Sequence, residues 1–476
     1  MRSYIMKNRI KHIIITTVLG LILVGCSNDF LELEPTDSIS EDKVFDSYVT
    51  ANSALIGAYN QLSSFNFEGL YNPIMADIMG EDLMVNAVDN WNWFISVYQM
   101  DVLPNYVYVD NPWWSGYKLI YDANNIINNA IYIPDATTEQ IDNLVGQARV
   151  LRAYTWLKLA QMYAPAYTKD PDAPSILLNT VTGEIKSGFQ RAPLSEVYAQ
   201  IENDLLAATN QLKENSDKGF FDLRAAHAVL ARLYLEMGNW SSARDHAKLA
   251  SEGLELMDIN TMFSGFNRRN SETIYTIAYT QDDNNTYLSI PSFYWPVGGY
   301  SSMRADSEFV NTFTAADARK SFFLKVDDID PDRYLIVKFA HNNSVGNAER
   351  ICIRASEMLL IEAECEAELG NFSEAQDALY EVQRRSNPGV SKSTSTGQTL
   401  IDEVLLERRK ELFGEGFRWN DIKRRQLPFH RAGEHWVKLS FTAQDPDYYR
   451  MTFPIPQSEI DANDALDNSD QNIGYK

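Results

Sequence analysis

The sequence predicts a mainly α fold, a scaffold of paired helices that carries a large, irregular, loop-rich region. Three observations predict it. Apolar residues recur at three- and four-residue steps across residues 41–65, 113–163, 194–257 and 353–385, the period of helices with a buried face. A motif repeats internally: Ala231, Gly238-Asn239 and Ala243 align with Ala363, Gly370-Asn371 and Ala375. Small residues on either side of a Gly-Asn turn let two helices pack closely, which is the tetratricopeptide-like pattern of units that stack to bury a shared face. Residues 66–112, 258–350 and 386–400 hold no sustained period and are rich in Asn, Gly, Ser and aromatic residues. Segments of that length without their own structure usually carry function.

The chain opens with Lys7, Arg9 and Lys11, followed by the mostly apolar stretch Ile13 to Val24. That stretch is shorter than the roughly 20 residues of a membrane span and suits the core of a signal peptide. It ends in Leu23-Val24-Gly25-Cys26, a lipobox. Residues 1–25 are therefore expected to be removed and Cys26 to become the lipidated first residue. Each buried methylene contributes about 0.8 kcal/mol, so several acyl chains tether a protein firmly. The roughly 450 residues that remain exceed one typical core, so length alone suggests two or three domains.

Composition narrows the function. Hydrophobic residues make up 45%, enough for a substantial core, and the net charge is −23. No basic tract is available to neutralise phosphates, so nucleic acid is not expected as a partner. An acidic surface resists non-specific adhesion and favours a neutral ligand over an acidic one. Cys352 and Cys365 read as two positions of one helix, about 20 Å apart at about 1.5 Å per residue, too far for a disulfide; they read as small buried hydrophobes. Trp113-Trp114 reads as the start of a helix after Asn111-Pro112, with both indoles in the core.

Enzyme motifs are missing. The six histidines form no His-Glu-x-x-His, and there is no Gly-x-Ser-x-Gly, P-loop or Cys-x-x-Cys. Carboxylate neighbours such as Glu81/Asp82 and Asp282/Asp283 do not by themselves set the spacing a glycosidase needs across a sugar. Asp328-Ile329-Asp330-Pro331-Asp332 starts like a calcium loop, but Arg333 and Phe339 stand where such a loop needs glycine and glutamate. A solvated acidic turn, and no metal or cofactor, is expected.

The C-terminal third carries the most specific pattern. Residues 407–425 read Glu-Arg-Arg-Lys-Glu-Leu-Phe-Gly-Glu-Gly-Phe-Arg-Trp-Asn-Asp-Ile-Lys-Arg-Arg, a helix broken at Gly414 and Gly416 and resumed near Phe417. The chain closes with Phe453-Pro454-Ile455-Pro456-Gln457-Ser458-Glu459-Ile460 and Asp470-Gln471-Asn472-Ile473-Gly474-Tyr475. With the lipobox and the helix Ala148-Arg149-Val150-Leu151-Arg152-Ala153-Tyr154, these segments resemble the SusD/RagB family of surface lipoproteins, although Ile473 stands where that family usually has proline. The resemblance spans essentially the whole chain, with a family N-terminal part at about 27–230 and a C-terminal part at about 270–476. It implies an extended arm at 26–40, a single domain at 41–476 with a SusD-like α/α superhelix, no enzymatic activity, and a place on the exterior face of the outer membrane. The implied role is capture of a glycan for a SusC-type TonB-dependent transporter; within the family the ligand is sometimes a peptide or another nutrient. A surface glycosidase is the more distant alternative.

The resemblance also points to the ligand face. Asp89, Asn90, Trp91 and Trp93 lie in a polar loop, and Tyr294, Trp295 and Tyr300 flank Gly298-Gly299. A flat aromatic stacks on the apolar C–H face of a pyranose, while amides and carboxylates serve the hydroxyls at its rim. Arg408, Arg409, Glu411, Glu415, Arg418, Trp419 and Asp421 read instead as ion pairs that fix two helices across a turn.

Overall fold

The structure is a computed structural model, and residues 43–87, 90–183, 188–326 and 330–475 are described. The leader, Cys26, the arm and Asp89 lie outside the described residues, as do Asp328 and Ile329 of the acidic segment; Asp330 opens a strand rather than continuing a turn.

Eight longer helices make the scaffold: α1 (Tyr48–Ser63), α2 (Tyr71–Ile78), α3 (Val107–Asn129), α4 (Thr138–Tyr163), α5 (Leu194–Gln211), α6 (Leu223–Met237), α7 (Trp240–Ser251) and, after the sheet region, α8 (Ala355–Glu368). They are followed by α9 (Phe372–Ser386), α10 (Gly397–Glu411) and α11 (Arg418–Arg425). Neighbours in sequence pack on each other, α3 on α4, α4 on α5, α6 on α7 and α8 on α9, and α7 packs on α8 to join the two repeats.

The repeat works as its spacing implies. Gly238 and Gly370 adopt left-handed φ of 71° and 82°, which glycine reaches at no steric cost. Asn239 and Asn371 then donate their backbone N–H to Tyr234 and Glu366, closing each first helix with the hydrogen bond of a Schellman turn. Ala231, Ala243, Ala363 and Ala375 are fully buried.

Some boundaries differ from expectation. Helix α3 begins at Val107, so Asn111-Pro112 lie inside it, and Pro112, its sixth residue, has no N–H to complete the helical bond to the Tyr108 carbonyl. Trp113 is buried and donates to Glu459 at 2.9 Å, but Trp114, one helical step round, is 61% exposed and is not core. Cys352 and Cys365 do not share a helix. Cys352 sits in a strand that pairs with residues 273–277, and Cys365 sits in α8; both thiols are free and buried.

The stretch 258–350 is less irregular than its composition suggests. Strands β1 (Leu83–Val85), β2 (Pro174–Leu177), β3 (Arg191–Pro193) and β4 (Thr273–Ile277) precede β5 (Met303–Asp306), β6 (Phe323–Val326), β7 (Asp330–Ile336) and β8 (Arg350–Arg354). An antiparallel sheet runs β1-β5-β7-β6, with Met84 opposite Arg304 and Arg304 opposite Leu335. The sheet joins chain segments more than 200 residues apart, and that long-range pairing leaves only short, weakly periodic runs in sequence.

The C-terminal signature is a buried ion-pair hub. Arg354 at the end of β8 meets Glu272 at 3.1 Å, Glu411 at 2.6 Å and Glu415 at 2.7 Å. Arg319 pairs with Asp317, Glu407 and Glu411, and Lys338 with Glu415. Asp421 takes Arg408 and Arg424, Arg409 pairs with Asp82, and Arg418 with Glu81. Most of these charges have more than one partner, which is what makes such burial tolerable, while Glu81 Oε2, Glu272 Oε2 and Arg408 Nη1 have no hydrogen bond among the described residues. Gly416, at φ 89°, donates its N–H to Asp77 at 2.9 Å, and a Cβ there would meet the Pro73 Cα at 2.7 Å. The hub thereby locks α2, and the loop that follows it, onto the scaffold.

Candidate functional site

Strand β1 carries the chain from the hub to the first candidate loop. Asn86 donates to the Ser302 carbonyl at 2.7 Å, and β1 pairs with β5. This places the loop 90–94 beside the segment 287–301, so the structure brings together the two regions that sequence had singled out separately.

Asn90 builds the first loop and does not present itself to a ligand. It is 3% exposed; its Oδ1 accepts from the Asn92 N–H at 2.9 Å and its Nδ2 donates to the Trp93 carbonyl at 3.2 Å. Within that closed turn Trp91, Asn92 and Phe94 have φ of 56°, 64° and 59°. Left-handed backbone costs a residue with a side chain about 1–2 kcal/mol. Phe94 recovers it by full burial against Tyr71, Tyr108 and Phe293 at 5.0–5.6 Å between ring centroids. Trp91 recovers nothing within the fold, because its indole is 80% exposed.

The second segment supplies a base. Trp93, half-buried, stands edge-on to Phe293 at 5.9 Å and 87°, and lies 6.0 Å from Tyr300. Tyr300 continues the chain of rings to Phe293 at 5.0 Å and to Tyr287 at 6.2 Å. Tyr287 is 55% exposed. The turn is held against the one-turn helix Ile290–Tyr294: Ser301 and Ser302 donate to the carbonyls of Ser292 and Phe293, at 2.8 and 2.9 Å. Gly299 permits this approach, since a Cβ there would lie 2.5 Å from the Ser292 backbone.

Tyr294 departs from expectation. It is fully buried, packs on Phe339 at 5.1 Å, and its hydroxyl lies 3.5 Å from Asp77. It belongs to the core and not to the ligand face, because the short helix turns it inward while Phe293 and Tyr300 face Trp93. Trp295, the next residue, is half-buried at the edge of the turn. Tyr287 was not among the sequence candidates; it is a tyrosine directly after the polar run Asp282-Asp283-Asn284-Asn285-Thr286. That run is a braced rim: Asn285 donates to the Ser63 carbonyl and the Tyr279 hydroxyl, both at 2.9 Å, and Asn284 donates to the Thr280 carbonyl at 2.7 Å. Gln281, Asp282, Asp283 and Thr286 are exposed beside it.

Other features fit a ligand less well. An open groove of about 390 Å³ is lined by Tyr117, Tyr121, Phe189, Glu459, Asn463 and Asp464, but several of its polar groups are already used. The Tyr117 hydroxyl bonds the Leu177 backbone, and Glu459 accepts from Trp113 and Asn463. Carboxyls with raised proton affinity lie inside the fold. Burial lifts Asp77 to about 8, and burial with the neighbouring Glu434 lifts Asp306 to about 7. Among the described residues no group of three His, Cys, Asp or Glu side chains is placed to hold a metal ion, and no helix is long and apolar enough to cross a membrane.

Residues 246–475 match the family described as "SusD family", and residues 29–235 match that described as "Starch-binding associating with outer membrane". The chain belongs to the SusD family. Its fold is that of the superfamily: a SusD superfamily protein from Bacteroides thetaiotaomicron superposes with a TM-score of 0.82 at 23% identity, covering 90% of this chain and 99% of that one. A SusD-like carbohydrate binding protein from Bacteroides vulgatus is 26% identical with a TM-score of 0.78, covering 90% and 98%. SusD-like protein P25 of Formosa agariphila is 23% identical over 98% of this chain and 100% of its own length. In this SusD-family chain, Trp91 and Tyr287 are the large exposed aromatics of the two candidate segments, and Tyr300 links Tyr287 to Trp93.

Proposed function

We propose that the protein is a cell-surface binding lipoprotein that captures a glycan on the face formed by Trp91, Tyr287 and Tyr300 and passes it to a SusC-type TonB-dependent transporter. The observation that carries this reading is Trp91: a large aromatic held exposed at backbone strain, two residues before Trp93, which packs on the rings of Phe293 and Tyr300. Strain of that kind persists where function repays it. Exposed rings present area at little entropy cost, and the rim carboxylates and hydroxyls of Asp282, Asp283 and Thr286 offer partners for sugar hydroxyls.

The action is capture without chemistry. Single sugar contacts are weak, so residence beside the transporter raises the effective ligand concentration at its pore. Lipid on Cys26 would supply the tether in the outer membrane. The names carried by similar proteins support carbohydrate as the ligand class and the outer membrane as the place. Affinity electrophoresis of the purified protein through gels containing individual polysaccharides tests the reading: retardation by at least one, with the glycan recovered uncleaved, is expected. Retardation by none, or release of reducing ends, overturns it. For the anchor, Cys26→Ser should abolish lipid labelling and release the protein from the membrane fraction; labelling that persists refutes it.

A further inference from the structure

We infer that this surface selects uncharged saccharides and turns away polyanionic ones, an inference that rests on the glycan-binding reading above. Lysine and arginine make up 42 of the 476 residues, yet none falls between Lys43 and Lys118, none between Arg269 and Arg304, and none between Lys338 and Arg350. Those three stretches contain every element of the site: the Asn90–Phe94 loop, the rim and aromatic turn from Thr280 to Ser301, and the segment 341–349 behind that turn.

The basic residues that bound these stretches are engaged elsewhere. Arg269 pairs with Asp217 and Glu349, Lys338 is buried on Glu415, and Arg350 is paired with Glu68. Arg304 donates to the carbonyls of Ser301 and Met303 in its own strand region. Only one further group in the three stretches can carry positive charge. His341 lies behind the turn, 3.5 Å from the place a Cβ on Gly298 would occupy, and burial holds its imidazole below the usual histidine range, so it is neutral at physiological pH.

Negative charge, by contrast, sits at the rim. Asp282 and Asp283 are both exposed, five and four residues before Tyr287. A sulfated or uronate-rich chain laid on Tyr287 would bring its anions to these carboxylates, and the guanidinium at the turn, that of Arg304, is already bonded to the Ser301 and Met303 carbonyls. Recognition of such anions ordinarily relies on arginine's bidentate donors. Like charges facing each other are an established means of rejecting a wrong partner. Sugar hydroxyls, which donate to carboxylates, suffer no such penalty.

The test uses the purified protein and two groups of probes: neutral polysaccharides (soluble starch, laminarin, xyloglucan, galactomannan) and polyanions (alginate, polygalacturonate, carrageenan). Retention by a neutral glycan and by no polyanion is expected in 10 mM salt, where the Debye length is about 30 Å. The retained glycan is then compared with its own derivative in which part of the C6 hydroxyls have been oxidised to carboxylates. The derivative should bind about tenfold more weakly. That gap, read as the ratio of the two affinities in one protein, should narrow in 0.5 M salt and in the double variant Asp282→Asn/Asp283→Asn. Equal or stronger retention by a polyanion, weakening as salt rises, overturns the charge selection while leaving glycan capture intact. A gap unmoved by both salt and the double variant also overturns it, since a steric cause would then be at work. No retention on any probe removes glycan capture itself, and the inference with it.

Discussion

Replacing Trp91 separates a binding residue from a loop anchor, and glycine and alanine at this position do different things. The indole is 80% exposed, so removing it takes little from the core; surface changes of this kind stay within about 0.5 kcal/mol. The backbone contributes separately. At φ 56° a side chain costs about 1–2 kcal/mol, and glycine relieves that at an entropy cost of about 0.5–1 kcal/mol in the unfolded chain. Trp91→Ala should therefore leave stability nearly unchanged, while Trp91→Gly should leave it unchanged or raise it by about 1 kcal/mol. Binding should fall alike in both. By analogy with aromatic stacking on bases, about 1–3 kcal/mol is lost, a weakening of roughly 5- to 150-fold in Kd. Urea unfolding and isothermal titration with the glycan found by electrophoresis give both quantities on each variant. Two variants that unfold at clearly lower urea yet bind as tightly as the parent would refute the reasoning and make Trp91 a loop anchor.

Buried neighbours should behave in the opposite way. Tyr294→Ala should lose about 3–5 kcal/mol of stability, as truncation of a buried aromatic does, measured by the same urea titration. Trp93→Ala should weaken both stability and binding, because Trp93 supports Tyr300 and does not itself stand free. Gly416→Ala should destabilise by more than about 2 kcal/mol, since a left-handed φ and a 2.7 Å approach to Pro73 act together; thermal unfolding checks it. For pH, the Asp77 carboxyl is raised to about 8 in the fold and lies near 3.9 when unfolded. The folded state thus holds the extra proton across that window, and this group's contribution to stability is complete below about pH 4 and is lost as pH rises towards and through about 8. Asp77→Asn should flatten that fall by an amount on the order of a few kcal/mol, read from urea midpoints at pH 5 and pH 8.5; an unchanged slope would place the pH dependence elsewhere.

Local chemistry was legible in the sequence wherever one residue type solves one geometric need. The Gly-Asn turns, the alanines that flank them and the charged signature of residues 407–425 each announce the contact they make, so the helical scaffold and the hub could be read. Trp114 and Tyr294 could not. Each adjoins a second large aromatic, Trp113 or Phe293, on a helix, and the direction each ring faces depends on a rotation of about 100° per residue that only the packed neighbours fix. The four-stranded sheet was illegible for a related reason: its strands are only 3 to 7 residues long and their partners lie far away in sequence. The site shows the same division. Trp91, Trp93 and Tyr300 stood out as aromatics in polar loops, but the meeting of their two segments, through Trp93 and Tyr300, depends on the β1–β5 pairing.

Fluorine NMR of protein grown with 5-fluorotryptophan reports on the site residue by residue. The chain has nine tryptophans, assignable by single replacement with phenylalanine. If Trp91 is the platform for a captured glycan, its resonance should move on titration and saturate with the Kd found by calorimetry, while the buried Trp156 and Trp419 stay still. A glycan that binds with full affinity and leaves the Trp91 resonance in place would contradict the proposal that this face is the binding surface.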